Sequence, residues 1–249
     1  TATTILIALY FGARNQSKLS EVCSVALASS FVFSSVASVF YITCDQWIFT
    51  SLGVPPEIMH DTTLYTSIVA AGLPIQALYY TFVAVFRGHS LTRVTMYVAL
   101  VMNIIHIATK YVFIFGAGPI PSLGVFGVSI STWLSKLVGL GIIIYWFRTL
   151  LTVKANTSYL RPFPKSTLKQ ILNISVPSGG ETLSYQLSQT TIMKMVNILG
   201  LAVINTKVYV YIIAMLCYVY TIALSNASQV IVGFLMGAKR QEEVTKRVW

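Results

Sequence analysis

The chain has 249 residues, of which 55% are hydrophobic and only 10% charged, and its mean hydropathy is +0.74, a balance that excludes a soluble globular domain. The formal net charge of +10 would suit a nucleic-acid binder. The cations, however, alternate loop by loop between apolar runs, and that pattern describes membrane orientation.

A run of about 20 apolar residues crosses the hydrocarbon layer as a helix. The first run, 1–11, is shorter than that and has no basic head or cleavage site of a signal peptide, so it reads as the second half of a helix whose beginning is missing. Six complete runs follow, at 22–44, 64–86, 94–115, 124–147, 170–199 and 205–236. Arg14 and Lys18 follow the first run, Arg87 and Arg93 the third, Arg148, Lys154, Arg161, Lys165 and Lys169 the fifth, and Lys239, Arg240, Lys246 and Arg247 the last. The alternate loops carry Asp45, Glu57 and Asp61, no charge at 116–123, or only Lys207. By the excess of Lys and Arg on the inner side, loops 12–21, 87–93, 148–169 and 237–249 are expected in the cytoplasm and 45–61 outside. The expected fold class is an all-α polytopic protein of the cell (plasma) membrane. Its partner is the lipid bilayer, with no nucleic acid.

Residues 1–22 recur at 226–247. Ala2, Gly12, Ala13 and Gln16 meet identical Ala227, Gly237, Ala238 and Gln241, and Ile5, Ile7, Arg14 and Ser20 meet Val230, Val232, Lys239 and Thr245. Both copies are apolar runs that close on Gly-Ala-basic-x-Gln, as a helix does when Gly sits just past its end and a cation faces its negative pole. Six runs lie between the two Gly-Ala loops, an even number, so the loops are on the same side and the copies have the same orientation in the bilayer: a parallel repeat. The complete protein is then expected to be about twice as long as the repeat offset, and this chain a fragment. Each copy holds a small-x-x-x-small pair, Ala8/Gly12 and Gly233/Gly237, read first as a packing face. The boundary between halves is expected in 148–169, where Pro162 and Pro164 interrupt any helix, leaving residues 1–147 to one lobe and 170–249 to the next.

Four stretches resemble the multidrug and toxic compound extrusion (MATE) transporters. They are Ile5 to Gln16 with Val230 to Gln241; Arg87-Gly88-His89-Ser90-Leu91-Thr92-Arg93-Val94-Thr95-Met96; Asn103 to Gly116 with Pro121, Leu123 to Thr132 and Ser135-Lys136; and Val176-Pro177-Ser178-Gly179-Gly180-Glu181. Together they cover most of the chain in the family's order. The resemblance implies a twelve-helix, two-lobe antiporter with parallel six-helix repeats, which exports organic cations or drugs in exchange for H+ or Na+ and needs no cofactor. This chain would hold the end of helix 2 through helix 8, that is, an incomplete N-terminal lobe (1–147), the cytoplasmic interlobe loop (148–169) and the start of the C-terminal lobe (170–249). Its partners would be small cationic or amphipathic substrates and the missing remainder of the same polypeptide. The sequence departs from the pattern at Lys110, where many relatives have Asp, and at Thr95, where many have Pro.

An ionisable group in hydrocarbon is costly and by default a functional suspect. Four charged side chains stand well inside predicted spans: Lys110, Lys136, Glu181 and Lys194. Lys110 and Lys194 lie about six residues from an outer helix end, ~9 Å, which a lysine stem can largely span by snorkelling. Lys136 is twelve residues into its helix, ~18 Å, and Glu181 is about as deep. Glu181 is the one carboxylate in a predicted span and follows Pro177-Ser178-Gly179-Gly180, a sequence expected to break the helix, as happens at membrane depth where a cavity is lined. Ser184 and Ser188 at i+3 and i+7, with Tyr185 and Gln189, extend it into a polar stripe. A carboxylate buried there would hold its proton to higher pH through desolvation, which would let the site load a proton near neutrality. The alternative is a Glu simply hydrogen-bonded to a neighbouring helix. In the last run Tyr211, Tyr218, Ser225 and Gln229 share a narrow arc, suited to flat cations by cation–π contact or to ordinary packing. Pro74, with Gln76, Tyr79 and Tyr80, is expected to kink the 64–86 helix beside the same cavity.

No catalytic constellation is present, neither a phosphate loop nor His-Glu-x-x-His, and His60, His89 and His106 have no metal-ligand spacing. Cys23, Cys44 and Cys217 read as small buried hydrophobes. Two further readings stay open: a flippase of the same superfamily for lipid-linked oligosaccharide, kept by three spanning lysines against one glutamate, and a seven-helix receptor or membrane enzyme, opposed by the repeat.

Overall fold

The computed structural model describes residues 1–51, 56–116, 122–161, 164–198 and 201–248. Helices are the only regular secondary structure among them: α1 (Ala2–Gly12), α2 (Gln16–Ser51), α3 (Pro56–Ala71), α4 (Leu73–Gly88), α5 (Thr92–Phe115), α6 (Gly124–Leu150), α7 (Lys165–Ile198), α8 (Leu201–Gly237) and α9 (Gln241–Val248), with a 3-10 turn at Thr157–Leu160. They form two compact units, Ser20–Pro164 and Thr1–Leu19 with Lys165–Trp249. Among the described residues four helices are long and apolar enough to cross a membrane, and the bent pair α3–α4 makes a fifth. The run expected at 170–199 is a helix of ample length, 34 residues, but its polar stripe keeps it below the hydropathy of a span.

In the unit Ser20–Pro164, α6 is the central element, packed by α3, α4 and α5. Its sequence explains how. Gly127, Ser131, Ser135 and Gly139 recur every fourth residue, all buried, and form a narrow face onto which α5 closes. A Cβ on Gly127 would lie 2.8 Å from Phe113 Cβ, and one on Gly139 3.0 Å from Met102 Sδ. Lower down, Phe82 of α4 meets Phe147 of α6 edge-on, ring centroids 5.1 Å apart, beside the fully buried Val85, Phe86, Val98 and Ile143. Residues Val153 to Asn156 return to α2, where the backbone N–H of Lys154 donates to Ser20 Oγ (3.2 Å) and that of Asn156 to Ser24 Oγ (3.1 Å).

The kink expected from Pro74 is a full break. α3 and α4 are separate helices bent by 47° at Gly72, with Pro74 in the first turn of α4, where its missing N–H costs nothing. The Gly72 N–H turns to Val69 O (3.0 Å), so Ile68 O loses its helical donor; the indole of Trp133 on α6 replaces it at 2.6 Å. An unbonded carbonyl there would cost about 1–3 kcal/mol, which is why the break is pinned to α6.

In the unit containing both chain ends, α1 crosses α8 backbone to backbone. A Cβ on Gly12 would strike Phe234 O and lie 2.9 Å from its carbonyl carbon; one on Gly237 would strike Leu9 O and lie 2.7 Å from its carbon. Leu9 and Phe234 are themselves offset by 225, so the contact is reciprocal. The small-x-x-x-small pairs therefore serve packing, with Gly233 against Ala8 Cβ at 3.0 Å.

That crossing corrects the reading of Gly as the residue past the helix end. Gly12 and Gly237 are the last helical residues, and the positive φ falls two positions on, at Arg14 (53°) and Lys239 (60°). Arg14 N donates to Phe11 O and Asn15 N to Tyr10 O; Lys239 N donates to Met236 O and Arg240 N to Leu235 O. This is the Schellman pattern, shifted by 225 residues. Gly88-His89-Ser90 is a third instance, with Ser90 at 61° and Leu91 N on Phe86 O. There burial pushes the His89 imidazole below its usual range, opposed in part by its bond to Val85 O.

Other boundaries also shift. α2 starts inside the expected loop 12–21 and runs on through Asp45, which was read as an external-loop acid; Asp45 Oδ2 accepts from Ser67 of α3 at 2.7 Å. Lys207 lies in the second turn of α8 rather than in a loop. Cys23 is buried as expected, but Cys44 is half-buried and Cys217 exposed. Pro164 immediately precedes α7, whereas Pro121 and Pro162 lie outside the described residues, as do most of 116–123 and the side chain of Glu57.

Candidate functional site

α7 runs unbroken from Lys165 to Ile198 with Pro177 inside it, so the helix break expected at 177–180 is absent. A proline within a helix removes one donor and leaves the rest of the ladder in place, and Gly179 and Gly180 have open space around them rather than a turn to make. Glu181 is exposed on this helix, as are Ser184, Tyr185 and Ser188, and Gln189 is half-buried. The burial on which the proton-loading expectation rested is not provided by the described residues.

α7 and α8 are antiparallel neighbours across a short connection and enclose a cleft of about 330 Å³. Tyr185, Gln186, Gln189, Thr190 and Met193 line it from α7, and Lys207, Val208 and Tyr211 from α8. The stripe at i, i+4 and i+8 (Tyr185, Gln189, Met193) faces the cleft as helical spacing dictates. Two tyrosine rings, two amide side chains and a thioether make an aromatic wall with a few hydrogen-bonding groups, the composition of a site for a flat, partly polar molecule. Lys207 Nζ donates to Met193 Sδ at 3.5 Å across the mouth of the cleft.

The structure therefore brings together three of the sequence-predicted residues, Tyr185, Gln189 and Tyr211. Glu181 stands one turn before Tyr185 on α7, and Ser184 and Ser188, although level with the cleft residues, do not line the cleft; Tyr218, Ser225 and Gln229 lie further along α8. Gln186, Thr190 and Met193 were missed; the i+4 spacing from Tyr185 to Gln189 and Met193 was the available signal. Gln76, Tyr79 and Tyr80 belong to the other unit and are not part of this cleft.

Lys136 also belongs to that other unit. Its Nζ donates to Gln76 Oε1 at 2.5 Å, one turn along α6 from Trp133. Beside it, His106 Nε2 lies 3.3 Å from Thr132 Oγ1, and Thr109 Oγ1 lies 2.8 Å from Ser131 Oγ. The sequence reading singled out Lys136 and Lys110 but not this α5–α6 seam, because a His and several hydroxyls on apolar helices carry no motif.

The model of the MatE family matches residues 1–112. Over 99% of its length the chain is 31% identical to an uncharacterized transporter, YisQ, of Bacillus subtilis, covering 54% of that protein. It is 26% identical to the probable multidrug resistance protein YoeA of the same organism over 80% of the chain and 44% of the relative. In fold it is similar to a crystal structure of MATE in the bent conformation, with a TM-score of 0.87 at 23% identity over 98% of this chain and 54% of that one. The chain spans about half the length of the curated relatives it matches. With the apolar helices described above, these likenesses make it a multi-pass protein of the plasma membrane, and it belongs to the MATE family of transporters.

Proposed function

We propose that the full-length protein is a secondary active antiporter, not an enzyme, that exports organic cations or drugs in exchange for protons or sodium ions. The observation that carries the proposal is the α7–α8 cleft, whose Tyr185 and Tyr211 rings suit a flat cation by stacking and cation–π attraction. The family and the relatives named as probable multidrug resistance proteins support it. In a drug-sensitive host, the full-length protein should lower ethidium accumulation. Dissipating the proton and the sodium gradients one at a time should then identify the coupling ion, and efflux that survives the loss of both would overturn secondary antiport.

The division into an incomplete N-terminal lobe (1–147), an interlobe segment (148–169) and the start of a C-terminal lobe (170–249) is part of this proposal. So is the sidedness of the loops, which charge asymmetry supports. With Cys23, Cys44 and Cys217 replaced, Ser158→Cys should resist an impermeant maleimide in intact cells while His60→Cys reacts. The reverse pattern would invert the orientation.

A further inference from the structure

We propose that α5 and α6 carry an anion-binding ladder, formed by Lys136, His106 and Lys110, that takes an organic anion bearing a carboxylate or phosphate group. It goes beyond cation export and rests on the unit Ser20–Pro164 alone. The two helices are antiparallel, with Met102 against Gly139, His106 against Thr132, Thr109 against Ser131 and Phe113 against Gly127. In that register Lys110 stands one turn beyond His106 on α5, and Lys136 one turn beyond Thr132 on α6 in the opposite direction. The three basic groups thus ascend one seam in steps of four residues, ~6 Å each, from the middle of α6 toward the outer end of α5. His106 lies in the electrostatic reach of both lysines.

Among the described residues of α4, α5 and α6 the seam has no counter-charge. α4, α5 and α6 contain Arg87, Arg93, Lys110, Lys136 and Arg148 and no Asp or Glu. The acceptor for the Lys136 amine is the neutral amide of Gln76, which fixes the amine's position without cancelling its charge. An ammonium carries three N–H donors, so two remain for a ligand. Lys136 is twelve residues into α6, ~18 Å from the helix start, too far for its stem to reach water by snorkelling. A basic group held at that depth is stabilised by an opposite charge, and the ligand's partners there are the basic groups themselves, since the hydroxyls of Thr109, Ser131 and Thr132 already donate to the carbonyls of Ile105, His106 and Val128. Lys110 and Lys136 are both half-buried.

The test uses the full-length protein in detergent with three radiolabelled probes: benzoate, phenyl phosphate and tetraphenylphosphonium. At least one anion should bind saturably, and which one binds distinguishes a carboxylate from a phosphate ligand. Lys110→Met and Lys136→Met should each weaken that binding about tenfold or more, the loss expected for one charge-assisted hydrogen bond. Lys136→Arg should retain it, and tetraphenylphosphonium binding should not change. In the unmutated protein the same anion should protect Lys110 and Lys136, but not Lys194, from an amine-acylating reagent, so the proposal remains testable if a variant fails to fold. No saturable anion binding, undiminished binding in both Met variants, or acylation unaffected by the anion would each overturn the ladder. Tetraphenylphosphonium binding that persists in those cases leaves cation export standing.

Discussion

Gly12→Ala and Gly237→Ala are each expected to destabilise the protein by about 1–3 kcal/mol, several degrees in melting temperature, because a new methyl meets backbone that cannot move aside. The obstacle to Gly12 is the carbonyl of Phe234 and the obstacle to Gly237 is that of Leu9, so the two variants should behave alike. No side-chain change on the facing helix should rescue either. Gly233→Ala should be milder and repairable, since what its methyl meets is Ala8 Cβ at 3.0 Å: adding Ala8→Gly should restore most of the loss. Gly141→Ala on α6, with nothing within 4 Å of the new atom, should be neutral or gain up to about 1 kcal/mol of helix propensity. Thermal melts of the purified variants decide it. A stable Gly12→Ala, or a Gly233→Ala that Ala8→Gly fails to repair, would mean that the α1–α8 crossing is not set by these contacts.

Glu181→Gln is expected to abolish efflux while leaving expression and melting temperature unchanged. The side chain is exposed on α7, so nothing in its packing depends on the charge, and Gln preserves its size and its hydrogen-bonding capacity. What it removes is the single titratable carboxylate of α7, on the same helix as the cleft residues Tyr185 and Gln189. A carboxylate that exchanges a proton or pairs with a cationic substrate cannot be replaced by an amide. Undiminished drug resistance in cells carrying Glu181→Gln would refute that role. A loss of resistance accompanied by a lower melting temperature would assign the residue to structure instead.

Much of the helical layout was legible along the chain, because membrane spans are long and every backbone polar group in lipid must be satisfied within the segment. α5, α6 and α8 lie within a few residues of their expected runs, and the repeat at 225 residues reappears as two turns with matching hydrogen bonds. Helix ends were harder to place. The cap at Arg14 and Lys239 uses a non-glycine residue at positive φ, while the glycine that drew attention serves a helix crossing. Pro177 and Pro74 look alike in sequence, yet one sits inside a continuous helix and the other beside a 47° break. The difference lies in tertiary partners: at the break Trp133 satisfies the carbonyl of Ile68.

The amino-acid sequence by itself determined that this is an all-helical membrane protein, where its apolar segments run, and that its two ends are copies of one design, since hydropathy, charge placement and periodicity are properties of the linear chain. Which residues meet was decided only by the tertiary structure. It joined Tyr185 and Gln189 to Tyr211 in one cleft, left Glu181 outside it, and set Lys136 against Gln76 across sixty positions of sequence. Contacts of that kind depend on the register and rotation of one helix against another, and these are set by small residues such as Gly12, Gly127 and Ser131 whose role shows only when the facing helix is in place.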